Sequence, residues 1–446
     1  MKLYKLILPI FAVLAIASCE SYTEDLNESP NAFVVASSDL VIGQVQLALM
    51  QHMGSNNARY GAVFSNQMSG GDRQYLTLND YSPNRANYND MWGDTYISGI
   101  NAAQLIINDE TAGSLVKGVA KIIQGTLFAE MALLYGDVPF SQAVQPNEFP
   151  EPIYDAQADV VTGAIALITA GIADVGTASI AAGYGGARLE GGTWAEAGHT
   201  LAARYALSAG NNALAITHAT QGISSRANDL VTQHGTSQEN RNLFYQFVID
   251  ERADYLVATD SHLANLLDGT VARSLVTPGD TARYNSYFLP EGTPGSTTYR
   301  TLLNTDVGGR FAQISSMPIA TYYENQLILA EATHGTNPTA ALGHLNNVRA
   351  ELAVEFDSAT GFPAAVAGAN LMTQIMEEKY ITLVGELVTF HDLRRTGNAL
   401  AVPNKTSGAT TATGFPQRFL YPQSELDTNS NIPSPLPTFF QTTTLF

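Results

Sequence analysis

The stretch that decides the fold runs from Gly113 to Asp137, "GSLVKGVAKIIQGTLFAEMALLYGD". Leu115, Val119, Ile122, Ile123, Leu127, Met131 and Leu134 recur at helical spacing, so one stripe faces a core. Tyr135-Gly136 is a helix stop. The same grammar returns in "DAQADVVTGAIALITAGIADV", residues 155–175. There Asp155 is the expected N-cap and Val161, Ala164, Ile165, Ile168, Ile172 and Val175 make the stripe. Between the two, "GDVPFSQAVQPNEFPEPIY" is proline-rich and reads as loop.

Two more stretches read as helix pairs. In "TLAARYALSAGNNALAITHATQGI" the Gly210-Asn211-Asn212 turn, followed by Ala215 and Ala219, has the small-residue pattern of a tetratricopeptide repeat. In "TYYENQLILAEATHGTNPTAALGHLNNVRAEL", Asn337-Pro338 supplies a cap with proline at the first helical position. Leu342, Leu345, Val348 and Leu352 follow as its stripe. A last helix is expected over about Leu371 to Phe390. The fold class is therefore mainly α, with paired helices as scaffold. Non-helical material is expected in two regions, Asn56–Asn89 and Leu266–Ser316, both rich in Tyr, Asn, Asp, Gly and Arg. Long irregular loops on a helical scaffold usually serve a function.

Cys19 is the only cysteine in 446 residues, so no intramolecular disulfide is available. Lys2 and Lys5 precede an apolar run, Leu6 to Ala17, of signal-peptide length. That run is shorter than the about 20 residues a spanning helix needs. The ending Ile16-Ala17-Ser18-Cys19 is similar to a bacterial lipobox, which implies cleavage before Cys19 and lipidation there. Residues 1–18 are thus expected to be a lipoprotein signal peptide, 19–31 a flexible acidic tether and 32–446 the functional domain. The balance of 22 Lys+Arg against 41 Asp+Glu argues against nucleic acid as a partner.

Several phrases, in order along the chain, carry a resemblance. They are "MWGDTYISGINAAQLI", "LLYGDVPFSQA", "TWAEAGHTLAARYAL", "MEEKYITLVGELVTFHDLRRTG" and "RFLYPQSELDTNSNI". With the lipobox, this set resembles the SusD/RagB family of Bacteroidetes outer-membrane lipoproteins, in its shorter, divergent branch. The resemblance implies a tetratricopeptide-like helix-pair scaffold with long irregular ligand-binding loops. It also implies a cell-surface, lipid-anchored protein with no cofactor. Such a protein would bind an oligo- or polysaccharide and pass it, as a hinged lid, to a SusC-type TonB-dependent transporter.

The resemblance places the ligand among loops at about the two irregular regions. Glycan recognition needs aromatic faces and planar hydrogen-bonding groups. The candidates there are Asp72, Arg73, Tyr75, Tyr81, Tyr88 and Trp92, with Arg283, Tyr284, Tyr287 and Tyr299. Trp92 and Trp194 both open helix motifs and read as structural, which leaves stacking to Tyr or Phe. That keeps a peptide cargo open as an alternative, and the acidic surface would suit basic peptides.

Catalytic readings find little. Arg394 and Arg395 in "HDLRR" read as ion-pair partners of Glu377, Glu378 or Glu386. Asp427-x-Asn429-x-Asn431 lacks the glycine and acid an EF-hand loop requires. "GYGGARLEGG" lacks a dinucleotide-site context. No acid pair has the arrangement of a glycosidase dyad, so a helical glycoside hydrolase ranks last and the protein reads as a non-enzyme.

Overall fold

The computed structural model describes residues 36–180, 188–273, 277–358, 360–405 and 414–446. Ser38–Phe446 forms one compact unit. Cys19, the signal segment, the tether and the first half of "GYGGARLEGG" lie outside the described residues.

The decisive stretch is a helix, Ser114–Tyr135, ended by Gly136 at φ 93°. It packs lengthwise on Gln157–Val175. The crossing is close because glycines stand where the helices touch. A Cβ at Gly125 would lie 2.6 Å from the Ala164 carbonyl, and one at Gly171 would lie 2.6 Å from that of Gly118. The N-cap of the second helix is Ala156, not Asp155. Asp155 instead accepts hydrogen bonds from the Phe140 and Ser141 amides, at 2.8 and 2.9 Å, and so ties the proline-rich loop to the helix start.

Trp194–Ser208 and Asn212–Ala219 form the next pair, with Asn211 as cap. Tyr322–His334 and Pro338–Glu355 form another, and Asn337 accepts from the Ala340 amide at 3.1 Å. In the last stripe Leu345, Val348 and Leu352 are buried, while Leu342 is only partly so. The fold is the expected mainly α, tetratricopeptide-like scaffold. Trp194 is fully buried, as a structural tryptophan should be.

The expected last helix is two helices, Leu371–Thr382 and Leu387–Arg395, separated by Gly385 at φ 76°. The irregular regions are also more ordered than composition suggests. The first contains helices Asn56–Phe64 and Gln74–Asn79 and a 3-10 turn, Arg85–Tyr88. The second holds a helix, Asp280–Tyr287, and a hairpin of Phe288–Glu291 with Arg300–Leu303. A three-stranded sheet, Leu189–Glu190, Leu230–Thr232 and Pro318–Ala320, braces the middle of the chain.

Buried charge clamps the helix pairs together. Glu130, fully buried, accepts from Tyr205 Oη and His391 Nε2, each at 2.8 Å. Burial opposes its charge, but His391 and Arg204 hold its carboxyl down at about 2. Arg204 is bidentate to Glu324, at 2.5 and 2.6 Å. The pair Arg394-Arg395 is structural, but not with the expected acids. Arg395 pairs with Glu331 and Asp392 at 2.6 Å, and Arg394 donates to the carbonyls of Leu133 and Gln417. Glu378 is taken by Arg283 and Arg349 instead.

Candidate functional site

The two irregular regions meet at a polar cavity of about 570 Å³. One wall is Asn66 to Gly71 and Asn79, which follow the Asn56–Phe64 helix. Ser69–Gly70 pairs antiparallel with Leu256–Val257, and the Ala258 amide donates to the Thr301 carbonyl at 2.7 Å. These pairings bring Asp254, Thr259, Asp260 and Arg300 to the opposite wall. The floor comes from much later in the chain, Pro403 to Lys405.

Asn66 is the hub. Its left-handed backbone, φ 58°, turns its amide group inward. Its Nδ2 donates to the Pro403 carbonyl at 3.0 Å, while its Oδ1 accepts from the His262 amide and from Lys405 Nζ at 2.8 Å. Asp254 and Asp260 on the facing wall are also left-handed, at φ 67° and 57°. Such strained polar residues cluster where the backbone must present groups to a ligand. Gly70 and Gly71 let the wall lie close in. A Cβ at Gly71 would stand 2.4 Å from the Asp254 carbonyl.

Lys405 donates to Asn66 Oδ1 and Ser69 Oγ, at 2.8 and 2.9 Å, and among the described residues no carboxylate pairs with it. Burial of its ammonium lowers its pKa to about 7, with Asp260 pulling weakly the other way. Arg300, by contrast, is already held by Asp254 and Glu291 at 2.6 Å. The groups a ligand would meet are therefore the Lys405 amine, which has no acid partner among the described residues, the Asp260 carboxylate and the hydrogen-bonded amides and hydroxyls between them. That set brackets the hydroxyls of a neutral polar molecule.

The structure corrects most of the sequence-predicted site residues. Tyr75, Tyr88, Tyr287 and Arg283 are core. Tyr75 accepts from Arg59 Nε at 3.1 Å and packs on Phe247. Tyr88, at 0 % exposure, joins an aromatic cluster with Tyr60, Tyr135 and Phe419. Arg283, also at 0 %, spends its guanidinium on Glu378 at 2.5 Å. The polar ends of Tyr75 and Arg283 find partners inside, which helps make their burial tolerable, whereas Tyr88 is held by its ring packing.

Tyr81 is buried behind the cavity, where its Oη accepts from the Lys405 amide at 3.3 Å. Trp92 lies in the wall of a different hollow, of about 660 Å³, with its indole N–H given to Glu425 at 3.0 Å. Arg73 is exposed and Asp72 half-buried, and the two form a loose pair at 3.7 Å. Tyr284 and Tyr299 are half-buried and lie beside the hairpin strand that bears Arg300. Sequence reading missed Lys405, Asn66 and Asp260. The sole sequence signal is that Asn66 and Asp260 are residue types that accept a left-handed backbone.

Residues 30–422 match the model of the SusD-like_2 family, described as starch-binding and associating with the outer membrane. The chain belongs to the SusD-like family. Similar solved structures agree on the fold. A SusD/RagB family protein from Bacteroides thetaiotaomicron superposes with a TM-score of 0.65 at 19 % identity, over 89 % of this chain and 95 % of that one. A chitin-binding protein gives 0.64 at 19 %, over 87 % and 94 %. A laminarin-binding SusD-like protein gives 0.66 at 16 %, over 88 % and 97 %. No curated protein matches the chain. The SusD-like assignment accounts for the helix pairs and for the order of the sequence phrases.

Proposed function

We propose that the protein is a surface-exposed, lipid-anchored nutrient-binding protein that captures an oligo- or polysaccharide at the Lys405–Asn66–Asp260 cavity. It then delivers that cargo, as a hinged lid, to a SusC-type TonB-dependent transporter. Cys19 would carry the lipid, and residues 19–31 would be the tether. The observation that carries the glycan reading is the cavity itself: two loop regions and a distant lysine converge on a polar hollow whose lysine has only neutral hydrogen-bond partners among the described residues. Family membership and the glycan-binding descriptions of two structural neighbours support the same class of ligand.

Among the described residues no aromatic ring lines the cavity. Capture would rest on hydrogen bonds, with Tyr284 and Tyr299 at the periphery as the nearest stacking surfaces. The same observation favours a second reading, a peptide cargo, whose backbone also offers alternating donors and acceptors.

Calorimetric titration of the protein truncated after Cys19 decides between them. Plant and algal oligosaccharides would be titrated against a mixed-peptide control. Saturable heat with one glycan class is the expected result. Saturable heat with peptides alone would replace the cargo, and heat with neither would remove the cavity as a binding site.

A further inference from the structure

A second polar cavity, of about 210 Å³, opens between the Tyr322–His334 and Leu371–Arg395 segments and the loops that precede them. It shares no lining residue with the Lys405 cavity. Its inner end is Glu386, at the break between the last two helices and only 7 % exposed. Among the described residues, no hydrogen bond or ion pair reaches the Glu386 carboxylate. That is costly for a buried acid, and native structures rarely leave such a group alone.

A guanidinium lines the same cavity and is also without an acid. Arg310 donates to the Ser316 carbonyl at 3.3 Å, and among the described residues no carboxylate lies within ion-pair distance of it. A merely structural acid and base would close on each other, as Arg283 and Glu378 do. Here they are held apart across a hollow with room for a small solute. The other charged groups at the cavity have partners. Asp229 accepts from the Tyr322 amide at 2.6 Å, and Arg226 pairs with Glu355 at 3.3 Å. The side chains of that last pair are about a third exposed and form the mouth. Tyr323 closes one wall with its hydroxyl on Glu355 at 2.7 Å.

We propose that this cavity binds a small zwitterion, an α-amino acid, with its ammonium on Glu386 and its carboxylate on Arg310. One molecule supplies both missing partners at once, which a neutral sugar or a simple ion cannot do. The charge state of Glu386 agrees with an unmet partner. Burial first, then repulsion from Glu324, raises its carboxyl to about 8, against weaker help from Arg310 and Arg204 and a further push from Asp229. At neutral pH the empty site thus holds a proton on Glu386. Arrival of an ammonium ionises the acid and sends that proton to the buffer.

The test is calorimetry on the purified protein with glycine, alanine, serine, aspartate and lysine as probes. Alaninamide, which lacks the anion, and propionate, which lacks the ammonium, are the controls. At least one amino acid should bind saturably, and each control about tenfold more weakly or worse. The binding heat should vary with the ionisation heat of the buffer, with proton release at pH 7. Glu386→Gln and Arg310→Gln should each abolish binding. Both variants should keep the wild-type unfolding curve and the wild-type response to whichever cargo the Lys405 cavity takes. No saturable heat from any probe would overturn the proposal, as would binding that survives Glu386→Gln. Failure of the glycan reading leaves this result untouched, since the two titrations use different cavities.

Discussion

Two lysines, the buried Lys379 and the half-buried Lys405, sit in opposite surroundings. Lys379, 2 % exposed on the Leu371–Thr382 helix, meets Glu331 at 2.9 Å and Asp392 at 2.8 Å. Arg395 closes the same cluster from the next helix. Among the described residues, Lys405 Nζ meets only neutral oxygens, Asn66 Oδ1 and Ser69 Oγ. The first cluster satisfies itself and has nothing left to offer. The second leaves a charge half paid for in hydrogen bonds, and so stays open to a ligand. Burial of a charge is therefore not what marks a site; burial without an opposite charge is.

The sharpest way to break this comparison is to damage the satisfied cluster. Glu331→Ala leaves Lys379 and Arg395 to share Asp392 as their one remaining acid in the interior. Stability should fall by about 3–5 kcal/mol in denaturant unfolding. A loss near zero would mean that the cluster relaxes to solvent and does not clamp the helices.

Damage to the open site should be felt elsewhere. Lys405→Met removes an ammonium whose charge burial already disfavours, so unfolding should be unchanged or shifted to higher denaturant. Cargo affinity should fall by about 1.5–3 kcal/mol, the worth of a hydrogen bond to a charged group. Equal affinity in wild type and variant would shift the site away from Lys405.

The smallest effect is a slope. The folded-state pKa of Lys405, about 7, is depressed below the ordinary lysine value of 10.5. Between those values the unfolded chain binds the extra proton, so wild-type stability should rise with pH across the window. The slope is at most about 1.4 kcal/mol per pH unit. It should be absent in Lys405→Met, and thermal unfolding of the two proteins from pH 7 to 9.5 reads the difference. Parallel curves would show that the ammonium is well solvated.

The same contrast explains what was legible in the sequence. Apolar periodicity is a local signal, so Ser114–Tyr135, the Asn337-Pro338 cap and the Asn211 turn could be read directly. The break at Gly385 could not, because a lone glycine in a helical pattern has no fixed meaning. The regions that hold the site were identified, but the residues were mostly not. Tyr75 and Tyr299 look alike in sequence, and only a distant partner decides which one is buried. For Tyr75 that partner is Arg59, and for Arg283 it is Glu378. Lys405 lies outside both irregular regions, in a stretch without a motif, and its role exists only through Asn66.

That contact also fixes when the cavity can exist. Asn66 and Lys405 are 339 positions apart, and Pro403 reaches the same asparagine. A growing or partly folded chain can complete its early helix pairs from neighbouring sequence, yet it has no floor to the hollow until nearly its whole length is present. Cargo capture is in this sense a proofreading signal: only a molecule whose two ends have found each other can hold anything.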